Sequence, residues 1–330
     1  MPTSAKTPPI KTRPIAAAVA QADLAPHLAL EPRLSASDSA AKAFRLIGAS
    51  ALSQAAANAA VLSRARRPEA LHQMRVGLRR LRAAISLFGP MLADGGLAAV
   101  KTELKWITGE LGPARDLDVF LNDSYRPMLE PHRDWPELAG LGHTLREART
   151  KAYDRAQAAV TSSRFGVLAH DVAAWIERGE WTTATGPKQT ALRARPIGRL
   201  APELLAKSHD TVVSRGRKLK SLDHKARHKL RIHAKGLRYA AGFFGSLYDK
   251  ESGKALKRFG AASHRLTSAL GDQTDIVAAT SLSAEIAAAA PPRIAYTAGL
   301  VAAQRLAGEQ ASAKATRKAF KGFRKAEPFW

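Results

Sequence analysis

Two stretches of this sequence set a histidine and three basic side chains in one pattern. His72, Arg75, Arg79 and Arg82 follow H-x2-R-x3-[RK]-x2-R, and His228, Arg231, Lys235 and Arg238 repeat it 156 residues later. At about 100° per residue, steps of 3, 4 and 3 gather each set into one stripe running roughly 15 Å along a helix. The chemistry such a stripe offers is anion capture. Guanidinium forks grip phosphate oxygens in pairs, an ammonium meets them as a point charge, and an imidazole gains charge as pH falls toward about 6.5. Like charges three and four residues apart disfavour an isolated helix by about 0.2–0.5 kcal/mol per pair, so helix stability alone does not account for the ladders. Nearby acids are scarce: Glu69 precedes the first ladder and Asp223 the second. A solvated basic face is the bland alternative. Two copies in register, each led by a histidine and rich in Arg, weigh against it.

Other chemistry is poorly represented. Asp116 and Asp118 resemble a metal pair, but the second copy of that segment keeps only Asp275, so a role as a helix cap or as an arginine's internal partner is expected. His132, His143, His170, His209, His224, His233 and His264 show no H-E-x-x-H spacing, and no phosphate-binding Gly-Lys loop or G-x-S-x-G elbow occurs. No metal, cofactor or catalytic residue is expected, and the chain is read as a non-enzyme.

The whole composition agrees. The 330 residues carry 52 Lys+Arg against 28 Asp+Glu, a formal charge of +24, and no Cys. Absence of Cys excludes disulfide frameworks, thiol nucleophiles and thiolate zinc sites. The charge surplus calls for a polyanionic partner: nucleic acid, anionic membrane or polyphosphate. No stretch reads as a membrane-spanning segment, and residues 15–20 are too short for an export signal.

The elements that must position the ladders are helices. Strong helix formers recur in long windows and alternating β-branched segments are nearly absent, so the fold class is all-α. Helices are expected at 38–63, capped by Asp38 or Ser37, and at 68–88, opened by Pro68 and stopped by Gly89-Pro90. Others follow at 95–111, 115–124, 137–160, 163–178, 198–222, 224–247, 251–270, 272–289, 292–308 and 310–325. Opposite the ladders, Leu71, Met74, Leu78, Leu81, Ile85 and Phe88 form one apolar face, and Leu230, Leu237, Phe243, Phe244 and Leu247 another. A second repeated element, Leu111-Gly112 with Arg115-Asp116, recurs as Leu270-Gly271 with Thr274-Asp275, shifted by 159. Ordered duplication of two elements argues for two related helical units. The expected layout is a flexible tail (1–36), a helical domain (37–325) whose repeats span about 37–180 and 198–325 around a linker at 181–197, and a C-terminal tail (326–330).

The runs HQMRVGLRRLRAAISLF, KTELKWITGELGPARDLDVF and HKLRIHAKGLRYAAGFF together resemble the CHAD family, the conserved-histidine α-helical domain, across about residues 37–325. The resemblance implies two pseudo-twofold-related four-helix bundles with a basic cavity or groove between them that binds long-chain inorganic polyphosphate. It also implies a cytoplasmic protein associated with polyphosphate granules. Carried over by position, the ligand-binding residues are the two ladders, joined by Lys101, Lys105 and Lys257 from the next helix of each repeat. Family members often carry a CYTH triphosphate-tunnel domain marked by E-x-E-x-K. That motif is absent from this sequence, so triphosphatase activity is not expected.

Nonspecific nucleic-acid binding is the rival reading. No zinc-finger, RNP or basic-zipper signature appears, and aromatics make up only 6% of residues, too few beside the ladders for a base-stacking platform. Lys314, Arg317, Lys318, Lys321, Arg324 and Lys325 form a separate basic stripe near the C-terminus that suits a second anionic partner, nucleic acid included, or is simply a solvated face.

Overall fold

The computed structural model describes residues 24–248 and 250–330. Most of the N-terminal tail reading (1–23) falls outside the described residues. The described residues form helices joined by short turns, with a single isolated β-bridge between Ser39 and Pro196. The helices are α1 (Ala40–Arg64), α2 (Pro68–Leu87), α3 (Leu97–Glu110), α4 (Gly112–Phe120), α5 (Arg126–Leu129), α6 (Pro136–Thr161) and α7 (Ser163–Arg178). They continue as α8 (Pro187–Ala194), α9 (Ile197–Gly216), α10 (His224–Phe244), α11 (Lys250–Ala289), α12 (Pro292–Ala307) and α13 (Glu309–Arg324).

Local chemistry explains the helices that carry the ladders. Pro68 opens α2, where its missing N–H costs nothing. Asp223 caps α10 by accepting from the Ala226 amide at 2.7 Å. The cap of α1 is Ser39, which accepts from the Lys42 amide, while Asp38 is engaged by the Ser35 amide and by Lys42. Gly77 seats α2 against α1, since a Cβ there would stand 2.8 Å from the Ala55 nitrogen. This close approach buries Leu71, Met74, Leu78 and Leu81 and turns His72, Arg75 and Arg79 away from α1.

Besides the cap of the first helix, four sequence expectations need correction. Residues 250–289 form one helix where two were expected, because the packing of α11 on α10, α12 and α13 outweighs the roughly 1 kcal/mol preference against Gly271. The linker at 181–197 contains a further helix, α8, opened by Pro187. α1 is long and apolar enough by composition to cross a membrane, but 56% of that window is buried, packed mainly against α2.

The last correction concerns the termini. Residues 24–36 are docked: Asn58 is bonded both ways to the His27 backbone, Leu34 is buried and its amide donates to the Ser246 hydroxyl, and the Gly198 amide donates to the Ala36 carbonyl. At the other end Phe329 is buried and Trp330 meets Phe259 edge-on at 5.0 Å. Neither segment is free, because each supplies apolar or carboxylate groups that the core needs.

Candidate functional site

α2 and α10 pack side by side. Toward their C-terminal ends the contact is apolar: Phe88 and Phe244 meet at 6.2 Å, and the buried Arg80 guanidinium lies over the Phe243 ring at 5.5 Å. Toward their N-terminal ends the two ladders face each other. Lys235 acts on His72, and Arg79 is repelled by Arg231 and Arg238, so side chains 156 residues apart in the repeat share one electrostatic environment.

That environment is costly for positive charge. Lys235 is pulled down to about 7, first by burial and then by Arg79, Arg231 and Arg238, with Asp275 opposing. Burial, then Arg79, lowers Arg75 to about 10, and burial is also the chief cause that lowers Arg79. His72 is lowered to about 4 by burial, then by Arg115, and is therefore neutral at pH 7 in the free protein. His228 is shifted down as well, by desolvation and by Arg231 and Lys235. The expectation that these histidines charge near pH 6.5 is corrected accordingly: burial and the neighbouring cations hold both below that value.

Several donors are buried with nothing to bind. Among the described residues, Nε of both Arg75 and Arg231, and Nδ1 of the His72 ring, have no hydrogen-bond partner. Buried polar groups are almost always paired, so unpaired guanidinium nitrogens beside concentrated positive charge make this the candidate site for an anion. The arginines are held in position meanwhile. Arg75 Nη1 donates to the Thr108 carbonyl at 3.1 Å and Arg79 Nε to the Arg75 carbonyl at 3.3 Å.

The second repeated element now has a structural meaning. A Cβ on Gly112 would stand 3.8 Å from Arg75 Nη1, and one on Gly271 equally far from Arg231 Nε. Each Leu-Gly thus lies beneath the second rung of a ladder. Four residues on, a carboxylate addresses the same guanidinium: Asp275 lies 3.8 Å from Arg231, and Asp116 interacts with Arg75. Asp116 is itself raised, by desolvation first, against Arg75, with Asp275 adding repulsion. The two repeats therefore converge on one site through both of their elements.

Arg115 belongs to this site although only its motif, and not its role, was legible in the sequence. It acts on His72, Arg75 and Arg79. The signal was its place one residue before Asp116, but its counterpart in the second copy is Thr274, so the repeat hid it. Arg82, Lys101, Lys105 and Lys257 are exposed, outside the half-buried cluster. Arg238 stacks over Tyr239 at 5.5 Å.

Asp118 has the structural role expected of it. It is buried, accepting from Arg149 Nε at 2.7 Å and from the Tyr153 hydroxyl at 2.6 Å. No His, Asp and Glu cluster suited to a metal ion occurs among the described residues. The C-terminal stripe divides: Lys318, Lys321 and Lys325 line a groove of about 670 Å³ against α11, while Thr316, Phe320 and Phe323 are buried beneath.

Fold and site together define an all-α protein in which two repeated basic helices present their charges to one another. The chain belongs to the CHAD domain family, which it matches over residues 47–284. It is similar to the crystal structure of the CHAD domain from the plant Ricinus communis, at 27% identity and a TM-score of 0.76, covering 90% of this chain and 96% of that one. PptA from Streptomyces chartreusis shares the fold at 20% identity and a TM-score of 0.56, over 83% of this chain and 99% of that one. No curated protein matches the chain.

Proposed function

We propose that this protein binds long-chain inorganic polyphosphate without chemical turnover, using the facing ladders as the two walls of one site formed between two pseudo-symmetric helical bundles. The observation that carries this reading is the convergence of Arg75, Arg79, Arg115, Arg231, Lys235 and Arg238 on a half-buried site where cations outnumber the acids that oppose them, Asp116 and Asp275 chief among these. A chain of phosphates supplies acceptor oxygens and closely spaced negative charge, and it offsets the repulsion that adds to burial in depressing Lys235 and Arg79. Membership of a family tied to polyphosphate supports the choice of ligand. Against turnover stands the lack, among the described residues, of clustered acidic ligands for Mg2+. The reading extends to a cytoplasmic protein recruited to polyphosphate granules.

The test is competition among long-chain polyphosphate, duplex DNA and short phosphates at several salt concentrations. Polyphosphate is expected to outcompete DNA at matched charge, with an affinity that falls steeply with salt. Preference for DNA would move the function to nonspecific nucleic-acid binding. Phosphate released from polyphosphate in proportion to protein would overturn the non-catalytic reading.

A further inference from the structure

The C-terminal groove is a second concentration of positive charge, carried by different helices. His264 and Arg265 of α11 face Lys318, Lys321 and Lys325, the last just beyond the end of α13, across about 670 Å³, with Asp272 as the one carboxylate on the lining. None of Arg265, Lys318, Lys321 and Lys325 forms a salt bridge among the described residues. Some exposed basic groups elsewhere are neutralised: Arg155 pairs with Glu110 and Arg164 with Glu103. The groove is a fixed part of the fold. The Thr316 hydroxyl donates to the Ala269 carbonyl at 3.0 Å, joining α13 to α11, and Phe320 and Phe323 anchor the buried face.

Charge of one sign in a concave, low-dielectric wall focuses the field and concentrates counter-ions. The remaining lining is alanine, serine and glycine, with no Phe, Tyr or Trp on which a base could stack. Lys318 to Lys325 spans about 10 Å of helix, enough for several linked phosphates. We propose that the α11–α13 groove is a second anion site, taking a base-free linear phosphate chain, and that it fills independently of the ladders. Its chemistry stands on its own residues, whatever the ladder site binds. Asp272 lies between the two sites, since it lines the groove and also feels Arg231.

The experiment is titration calorimetry of the full chain with tripolyphosphate, comparing wild type, K318Q/K321Q/K325Q and R79Q/K235Q, with helicity checked by circular dichroism. Two binding events are expected in wild type. The groove variant should keep one and lose the other, with at least a tenfold drop in its association constant, and R79Q/K235Q should do the converse. Should the triple variant unfold, the single exposed change K321E is expected to weaken the same event. The proposal fails if the groove variants bind as wild type does, or if R79Q/K235Q abolishes both events. If only the groove event survives in wild type, the ladder reading fails and the groove stands. Tighter groove binding of single-stranded oligonucleotide than of polyphosphate at matched charge would overturn the ligand class.

Discussion

Phe88 and Phe244 meet edge-on at 6.2 Å, and they are 156 residues apart, the same shift that relates the two ladders. Equivalent positions of the repeat thus touch across the α2–α10 contact, and this aromatic closure sets the register in which the charged rungs face each other. Both rings are essentially buried. Phe244→Ala is expected to destabilise the fold by about 3–5 kcal/mol, read by chemical denaturation. A loss below about 1 kcal/mol would show that the two helices are held elsewhere.

The ladders should trade stability for binding. Lys235 is crowded by Arg79, Arg231 and Arg238. Lys235→Gln is therefore expected to raise stability by roughly 0.5–2 kcal/mol while weakening polyphosphate binding. For each phosphate contact removed, the salt dependence of log K should flatten by about 0.7. Thermal melts and binding at three salt concentrations check both signs.

The pH dependence follows from the same lysine. In the free protein Lys235 sits at about 7, below its ordinary 10.5. Between these values the unfolded chain holds a proton that the folded chain has shed, so this group makes stability rise with pH across that window. A bound anion draws the proton back, so above pH 7 binding must take one up. Affinity is expected to fall by up to about tenfold per pH unit there. Calorimetry at pH 8 in buffers of different ionisation heat should detect the proton uptake. Lys235→Arg, which stays charged, should flatten the profile. A flat wild-type profile from pH 6.5 to 9 would remove Lys235 from the site.

The carboxylates should act against the ligand. Asp275 stands 3.8 Å from Arg231, competing for the guanidinium that a phosphate would meet. Asp275→Asn is expected to strengthen polyphosphate binding by about 1 kcal/mol, roughly fivefold. If the same change weakened binding, it would point instead to a carboxylate that positions the arginine.

The docked N-terminal segment has a measurable role. Arg80 is 1% exposed, and its guanidinium is shared by Glu31 at 2.7 Å and Gln54 at 3.0 Å. Glu31→Ala leaves that charge buried with one polar partner fewer and should cost about 2–3 kcal/mol. Because Arg80 points away from the ladders, polyphosphate affinity at saturating stability should be unchanged. Denaturation and binding assays on the same variant separate the two.

Sequence alone determined the helical class, the apolar faces of α2 and α10, and the two ladders, because helical periodicity converts spacing directly into direction. It also exposed the Leu-Gly and Asp element of each repeat, though not what that element does. Tertiary structure decided which charges share a site. Arg79, Lys235 and Arg115 come from three helices, and their mutual effect depends on distances across helices that no local pattern encodes. Their neighbour Arg80, one residue from a rung and of the same chemistry, is withdrawn into the core by Glu31. Packing also carried α11 through Gly271, and it drew residues 24–36 onto the helices. The pattern of charge was written in the chain, but the low-lying proton affinities of Lys235 and His72 arise only where burial and like charge coincide.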